Sequence, residues 1–115
     1  MGERLPLRYF FEWATDSALW SGDPQLSDQI GYPAKPESLG LSPETCERMR
    51  ELARWHDTDM DWSDPGGERL WSDEEAQKFA RASQDLYHQI VKEIGVRYTI
   101  HNEEVSLRNP KERSV

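Results

Sequence analysis

A single cysteine, Cys46, is all that this chain of 115 residues contains. One thiol cannot close an internal disulfide, and the paired CxxC spacing that holds structural zinc is absent. Long apolar runs are missing too. No stretch approaches the roughly 20 residues of a membrane-spanning helix. The opening Met1-Gly2-Glu3-Arg4-Leu5-Pro6 has no apolar segment of signal-peptide length, and Leu5-Pro6 does not supply the Ser or Thr that a myristoylation signal wants after Gly2. These absences set the expectation of a soluble cytoplasmic protein with no membrane partner. Bases are scarce: 14 Lys and Arg stand against 22 Asp and Glu, for a formal charge of −8. Phosphate contacts need Lys and Arg, so nucleic acid is not expected as a direct ligand. Gly66-Gly67 leads into Glu68-Arg69, without the Lys-Ser/Thr of a phosphate loop. No cofactor motif is present.

What the chain does have is acid concentrated in one place. From Asp57 to Glu75 there are eight acids, Asp57, Asp59, Asp61, Asp64, Glu68, Asp73, Glu74 and Glu75, against one base, Arg69. That segment carries −7 of the −8, and the rest is nearly neutral. Trp62 and Trp71 lie inside it and Trp55 lies just before it. Charge steers a basic partner to such a patch, and large aromatics hold the complex once formed. The partner-binding set expected from this pattern is Asp57, Asp59, Asp61, Trp62, Asp64, Glu68 and Trp71.

The size is that of one domain, expected over residues 1–108, with 109–115 as a polar flexible tail. Five Trp, four Tyr and three Phe are too many to leave in water, so the chain is not a disordered one. Leu7, Tyr9, Phe11 and Trp13 alternate with Arg8, Phe10, Glu12 and Ala14, which reads as a strand; Phe10 on its second face suggests a central strand or one covered on both sides. Thr15-Asp16-Ser17 makes a turn, and Ala18 to Ser21 a short returning strand. Asp23-Pro24 starts a short helix that Gly31 stops. Pro33, Pro36 and Gly40 mark a loop. Ser42-Pro43-Glu44 opens a second helix, with Cys46, Met49, Leu52, Ala53 and His56 on one arc. Ser72-Asp73-Glu74-Glu75 reads as a capping box. It opens a third helix whose apolar stripe runs Ala76, Phe79, Ala80, Ser83, Leu86, Tyr87, Ile90, Val91 and Ile94. Gly95 is the expected left-handed cap, and Val96, Tyr98 and Ile100 alternate as a last strand. The fold class is therefore α+β. The expected architecture is a small antiparallel sheet, from the N-terminal hairpin plus the C-terminal strand, with two main helices and one short helix on one face. The last strand is expected beside the first.

Several chemical readings compete with simple structure. Asp57, Asp59 and Asp61 take positions 1, 3 and 5 of a twelve-residue frame ending at Glu68, the outline of an EF-hand calcium loop. Position 6 is Trp62 where Gly belongs, position 8 is Asp64, and Pro65 follows. A calcium-binding module is thus the alternative to a solvated acidic loop. His56 beside Asp57 could form an acid–base pair, which makes a small enzyme with a site near His56 a further alternative. No nucleophile or metal set accompanies it, and the helical arc puts His56 on the apolar side, where a packed boundary residue is the simpler reading. His88 and His101 lack ligand partners at helical spacing. Cys46 falls on the core arc, where a thiol is inert. Trp71 directly precedes the Ser72 cap, as the apolar residue of a hydrophobic staple does. Trp62 lies outside any apolar stripe and is core or contact.

Leu7-Arg8-Tyr9-Phe10-Phe11-Glu12-Trp13, Leu19-Trp20-Ser21-Gly22, Gly31-Tyr32-Pro33, and Trp62 through Pro65 followed by Trp71 resemble a group of small acidic bacterial proteins with no assigned function. The likeness runs from residue 5 to about 101, and its motifs carry no known chemistry. In size and charge alone the chain is also similar to immunity proteins of bacterial toxin systems. That likeness implies binding to a basic toxin, whose active site such proteins cover with acidic and aromatic groups. The function expected is a non-enzymatic acidic binding domain, of immunity or inhibitor type, that neutralises a basic protein such as a toxin.

Overall fold

The structure is a computed structural model, and it describes residues 4–31, 33–64 and 67–104. The elements are β1 (Leu5–Tyr9), β2 (Leu19–Ser21), α1 (Pro24–Ile30), a 3₁₀ turn (Pro36–Leu39), α2 (Pro43–Asp57), α3 (Asp73–Ile94) and β3 (Tyr98–Asn102). The expected tail at 109–115 lies outside the described residues. The α+β class holds, and β1 is the central strand, in the order β2-β1-β3.

The sheet is mixed and not antiparallel throughout. β1 and β2 pair antiparallel, with Leu7 opposite Ser21 and Tyr9 opposite Leu19. β1 and β3 pair parallel, with Leu5 opposite Tyr98, Leu7 opposite Ile100 and Tyr9 opposite Asn102. A parallel neighbour needs a long crossover, and the helices between β2 and β3 supply it. α3 delivers the chain to the end of the sheet where β1 begins. There the Leu5 N–H bonds the Arg97 carbonyl at 3.1 Å, and Arg4 Nη1 bonds the Gly95 carbonyl at 3.0 Å. From that end the last strand can only run alongside β1 in its own direction.

Strand β1 stops short of Trp13, where the alternation had placed its end. The Phe10 N–H still reaches the Ala18 carbonyl at 3.0 Å, but the Phe11 N–H turns to the buried carboxylate of Glu104 at 2.8 Å. Three residues on, Ala14 takes a left-handed φ of 64°. Phe10 covers the outer side of the sheet by stacking on Trp20, with centroids 4.9 Å apart, under the Arg8 guanidinium. Arg8 also holds Glu103 through two bonds of 2.8 Å, which keep that carboxyl below its usual range.

All three helices start where their caps place them. Asp23 accepts from the Gln25 N–H, Ser42 from Thr45 and Ser72 from Glu75. Glu75 does not complete the expected capping box, because its carboxylate accepts the Trp55 indole N–H at 2.5 Å. Gly95 differs too: it is right-handed, at φ −63° and ψ −15°. Its N–H continues the helical ladder to the Val91 carbonyl at 2.8 Å, and a Cβ there would stand 2.4 Å from that oxygen. Glycine is needed at this position for close approach, not for handedness.

The core lies between the sheet and the helix pair. Phe79, Ser83, Leu86, Ile90 and Ile94 are the buried stripe of α3, and Cys46, Met49, Leu52, Ala53 and His56 that of α2. Burial raises the Cys46 thiol pKa, as an inert core thiol requires. α3 is pinned to the central strand by the Tyr9 hydroxyl, which donates to the Ser83 carbonyl at 2.8 Å; burial pushes that phenol pKa up. The far end of α3 is tied to α2 by Glu93. Its carboxylate accepts from the Ser42 N–H at 2.7 Å, the Ser42 and Thr45 hydroxyls, and Gln89 at 2.7 Å. This places a negative charge at the start of α2, where the helix dipole favours it.

Truncating the fully buried Ile90 to Ala should cost about 2–5 kcal/mol in a denaturant titration, whereas Val91→Ala, at the exposed neighbouring position, should change stability by no more than about 0.5 kcal/mol. Equal losses would place the buried stripe on the wrong face.

Burial alone would raise the Glu93 carboxyl pKa, but the hydrogen bonds from Gln89, Ser42 and Thr45 outweigh it and hold the group below its usual range. A carboxylate with a depressed folded-state pKa stabilises fully above the unfolded value of about 4.3. It loses that contribution as pH falls through the folded value. The stability gap between the wild type and Glu93→Gln should therefore be largest near neutral pH and shrink steadily below about pH 4.3. A gap independent of pH would show that the charge does not matter there.

Candidate partner-binding surface

The acidic segment leaves the C-terminal end of α2 and returns to the start of α3. Asp59 makes most of the bonds that join its two arms. Asp59 follows the helix end, where its N–H bonds the His56 carbonyl at 3.1 Å. Its carbonyl accepts from the Leu70 N–H at 2.8 Å, its Oδ1 from the Trp71 N–H at 2.9 Å, and its Oδ2 from Arg69 Nη1 at 3.2 Å. Asp59 is only 3% exposed. The expectation of a solvated acidic loop fails at this residue. Its carboxylate substitutes for the backbone partners that the returning arm would otherwise lack.

Beneath that junction lies an aromatic cluster. Trp71 and Trp55 both pack on Phe79, with centroids 5.0 and 5.1 Å away, and lie 6.0 Å from each other. His56 is 2% exposed and sits among Phe11, Trp13, Trp71 and Phe79, its ring 5.0 Å from Trp13. The Arg69 guanidinium closes the cluster from outside, 4.2 Å from the Trp13 ring centre. The Trp71 indole N–H donates to the Thr58 hydroxyl at 2.7 Å. Trp71 is thus a closing residue over the core, as its place before the Ser72 cap implied.

The other expected site residues divide between the junction and the water. Asp57 accepts the Ala14 N–H at 3.0 Å and so fixes the left-handed turn on the neighbouring loop. Asp61 accepts from the Ser63 N–H at 2.9 Å and the Ser63 hydroxyl at 2.5 Å; the hydroxyl bond first, then the backbone bonds, keep its carboxyl pKa below the usual range. Turn bonds of 2.9 Å, from the Asp64 N–H to the Asp61 carbonyl and from the Gly67 N–H to the Asp64 carbonyl, shape the outer part. Asp64 and Glu68 are exposed. Trp62 is 54% exposed, and its indole N–H returns to the Asp57 carbonyl at 3.1 Å. Leu70, on the returning arm, is 59% exposed. Sequence reasoning passed over Leu70, since an isolated leucine carries no periodic signal.

This geometry does not suit a calcium loop. The carboxylates of Asp57 and Asp59 point to the Ala14 N–H and to the Trp71 N–H and Arg69, so they do not converge on a common centre. Among the described residues no group of three or more His, Cys, Asp or Glu is arranged to hold a metal ion. Nor does a site open at His56, which is enclosed by rings. A groove nearby, about 560 Å³, is lined by Ala14, Asp16, Pro33, Arg50, Arg54 and Asp57 among others, and His56 is not part of its lining.

Residues 6–104 match the family model described as Serratia CdiI immunity protein-like. The chain belongs to this immunity-protein family. No curated protein sequence matches it significantly. Among the described residues of this immunity-family chain, no helix is long and apolar enough to cross a membrane. The match extends from β1 to the residue that follows Glu103, so it includes both the sheet and the acidic arms.

Two substitutions should separate support from display in the family member. Asp59→Asn keeps an acceptor for the Trp71 N–H but removes the ion pair and leaves an amide buried; it should destabilise by about 1–3 kcal/mol. Trp62→Ala should stay within about 0.5 kcal/mol of wild type. A large fall in Tm for Trp62→Ala would assign that ring to the core.

Proposed function

We propose that the chain is an immunity protein that neutralises a toxin by binding it through the segment Asp57–Glu75, with Trp62 as a contact anchor. The carrying observation is the exposure of Trp62 in the most acidic part of a chain that matches an immunity-protein family over residues 6–104. A large ring left half in water gains when a partner covers it, and exposed carboxylates around it favour a basic surface. Asp61, Asp64 and Glu68 supply the steering charge, and Asp57, Asp59 and Trp71 support the surface from beneath. No cofactor or metal is needed for inhibition by coverage. Cys46, a lone buried thiol, suits the reducing cytoplasm, where we place the action.

The test uses as its probe a catalytically inactive toxin domain that the wild-type chain neutralises. Association is measured by stopped flow at low and high salt, for wild type and for Asp61→Asn, Asp64→Asn and Glu68→Gln combined. The variant should associate more slowly at low salt, on the order of tenfold, with a flatter salt dependence. Dissociation should change little, because exposed charges act chiefly on the encounter. Unchanged affinity and salt dependence would remove the acidic segment from the interface.

A further inference from the structure

We infer that Asp59 and Arg69 are positioning residues, forming a latch that sets Trp62 and Leu70 side by side in function as a two-point apolar anchor for a basic protein partner. The inference rests on the reading that this segment is the binding surface, and it adds the anchor's second half and the device that holds it. Three observations carry it. The two most exposed large apolar side chains of the segment, Trp62 and Leu70, lie on opposite arms, one before and one after the outer turn. The arms are joined at their base chiefly through the buried Asp59, which bonds Arg69, Leu70 and Trp71 in succession, with the Trp71–Thr58 bond beside it. The Trp62 ring is tethered from the same base, through its bond to the Asp57 carbonyl.

A loop whose ends meet in this way presents its side chains without a large ordering cost on binding, and so raises affinity through slower dissociation. Arg69 is the one base in the segment, and its charge is turned inward, toward Asp59 and over the Trp13 ring. A planar guanidinium can serve both contacts at once, whereas an ammonium cannot. The partner that fits is a protein surface with an apolar recess rimmed by Lys or Arg, since the carboxylates beside the anchor are the half-buried Asp61 and the exposed Asp64 and Glu68.

Arg69→Ala gives a test by sign. Removing a positive charge from an acidic surface would, by electrostatics alone, strengthen binding to a basic partner. A latch predicts the opposite. With the same inactive toxin domain as the probe, Arg69→Ala should associate as fast as wild type or faster, yet dissociate at least fivefold faster. Arg69→Lys, with the charge kept and the stacked fork lost, should fall between the two. In the wild type, Trp62→Ala and Leu70→Ala should each speed dissociation about tenfold, and in the Arg69→Ala background each should add less than threefold. Hydrogen exchange on the free protein should show the Leu70 and Trp71 amides losing protection in Arg69→Ala while the Ile90 amide keeps its own. This exchange arm reads the latch without any partner.

Tighter binding by Arg69→Ala, or full additivity of its effect with Trp62→Ala, would overturn the positioning role. So would unchanged exchange at Leu70 and Trp71. Failure of the underlying reading looks different: the latch opens in the exchange measurement, but neither the anchor variants nor the triple carboxylate variant alters binding. That outcome overturns the proposal together with the interface.

Discussion

Strand β1 has neighbours drawn from opposite ends of the chain, and the rest of the molecule follows from that constraint. β2 comes from the next few residues and lies antiparallel; β3 comes from ninety residues on and lies parallel. Between the two, the helices must cross one face of the sheet and return to the end where β1 begins. The Tyr9–Ser83 bond sets α3 against the middle strand, and Glu93 sets α2 against α3. With both helices placed, the end of α2 and the start of α3 lie close together. The acidic segment has to bridge them over Phe79, and that is where the aromatic cluster forms.

The same placement explains how so much negative charge is tolerated in a short stretch. Its members do different work. Asp59 satisfies backbone N–H groups, Asp57 fixes a turn on another loop, and Glu75 takes an indole N–H. Asp73 and Glu74 begin a helix whose dipole favours them. What remains for the solvent is Asp61, Asp64 and Glu68, with Asp61 held by Ser63. Repulsion among the carboxylates is thus offset one residue at a time.

Local signals were legible in the sequence, and long-range ones were not. Asp23, Ser42 and Ser72 announced their helices because a cap needs only the next three residues. The stripes of α2 and α3 were readable from spacing, except that Val91, counted on the α3 stripe, lies at its edge and is exposed; the central position of β1 was readable too, from Phe10 on its second face. The direction of β3 was not, since alternation is the same in parallel and antiparallel strands. Gly95 was read as a left-handed stop because nothing local distinguishes a glycine needed for handedness from one needed for close approach. At the site, Trp71 was placed by its neighbour Ser72. Asp59 looked like the other aspartates, since its burial depends on where Arg69 and Trp71 come to lie. Leu70 gave no signal. The family match agrees with the resemblance in size and charge, and it extends that likeness to the sequence of nearly the whole fold.

The parallel pairing of β1 with β3 has a consequence for how the protein is made. The Phe11 N–H waits for the carboxylate of Glu104, and one whole side of β1 waits for residues 98–102. A ribosome adding about 5–20 residues per second leaves the first strand without that partner while all the residues between them are made. Nothing closes the sheet until β3 has emerged, so its closure waits on a contact of long sequence separation, which is slow to form. Loss of the segment that follows α3 would therefore deprive the first strand of its partner, and with it the whole domain of its centre.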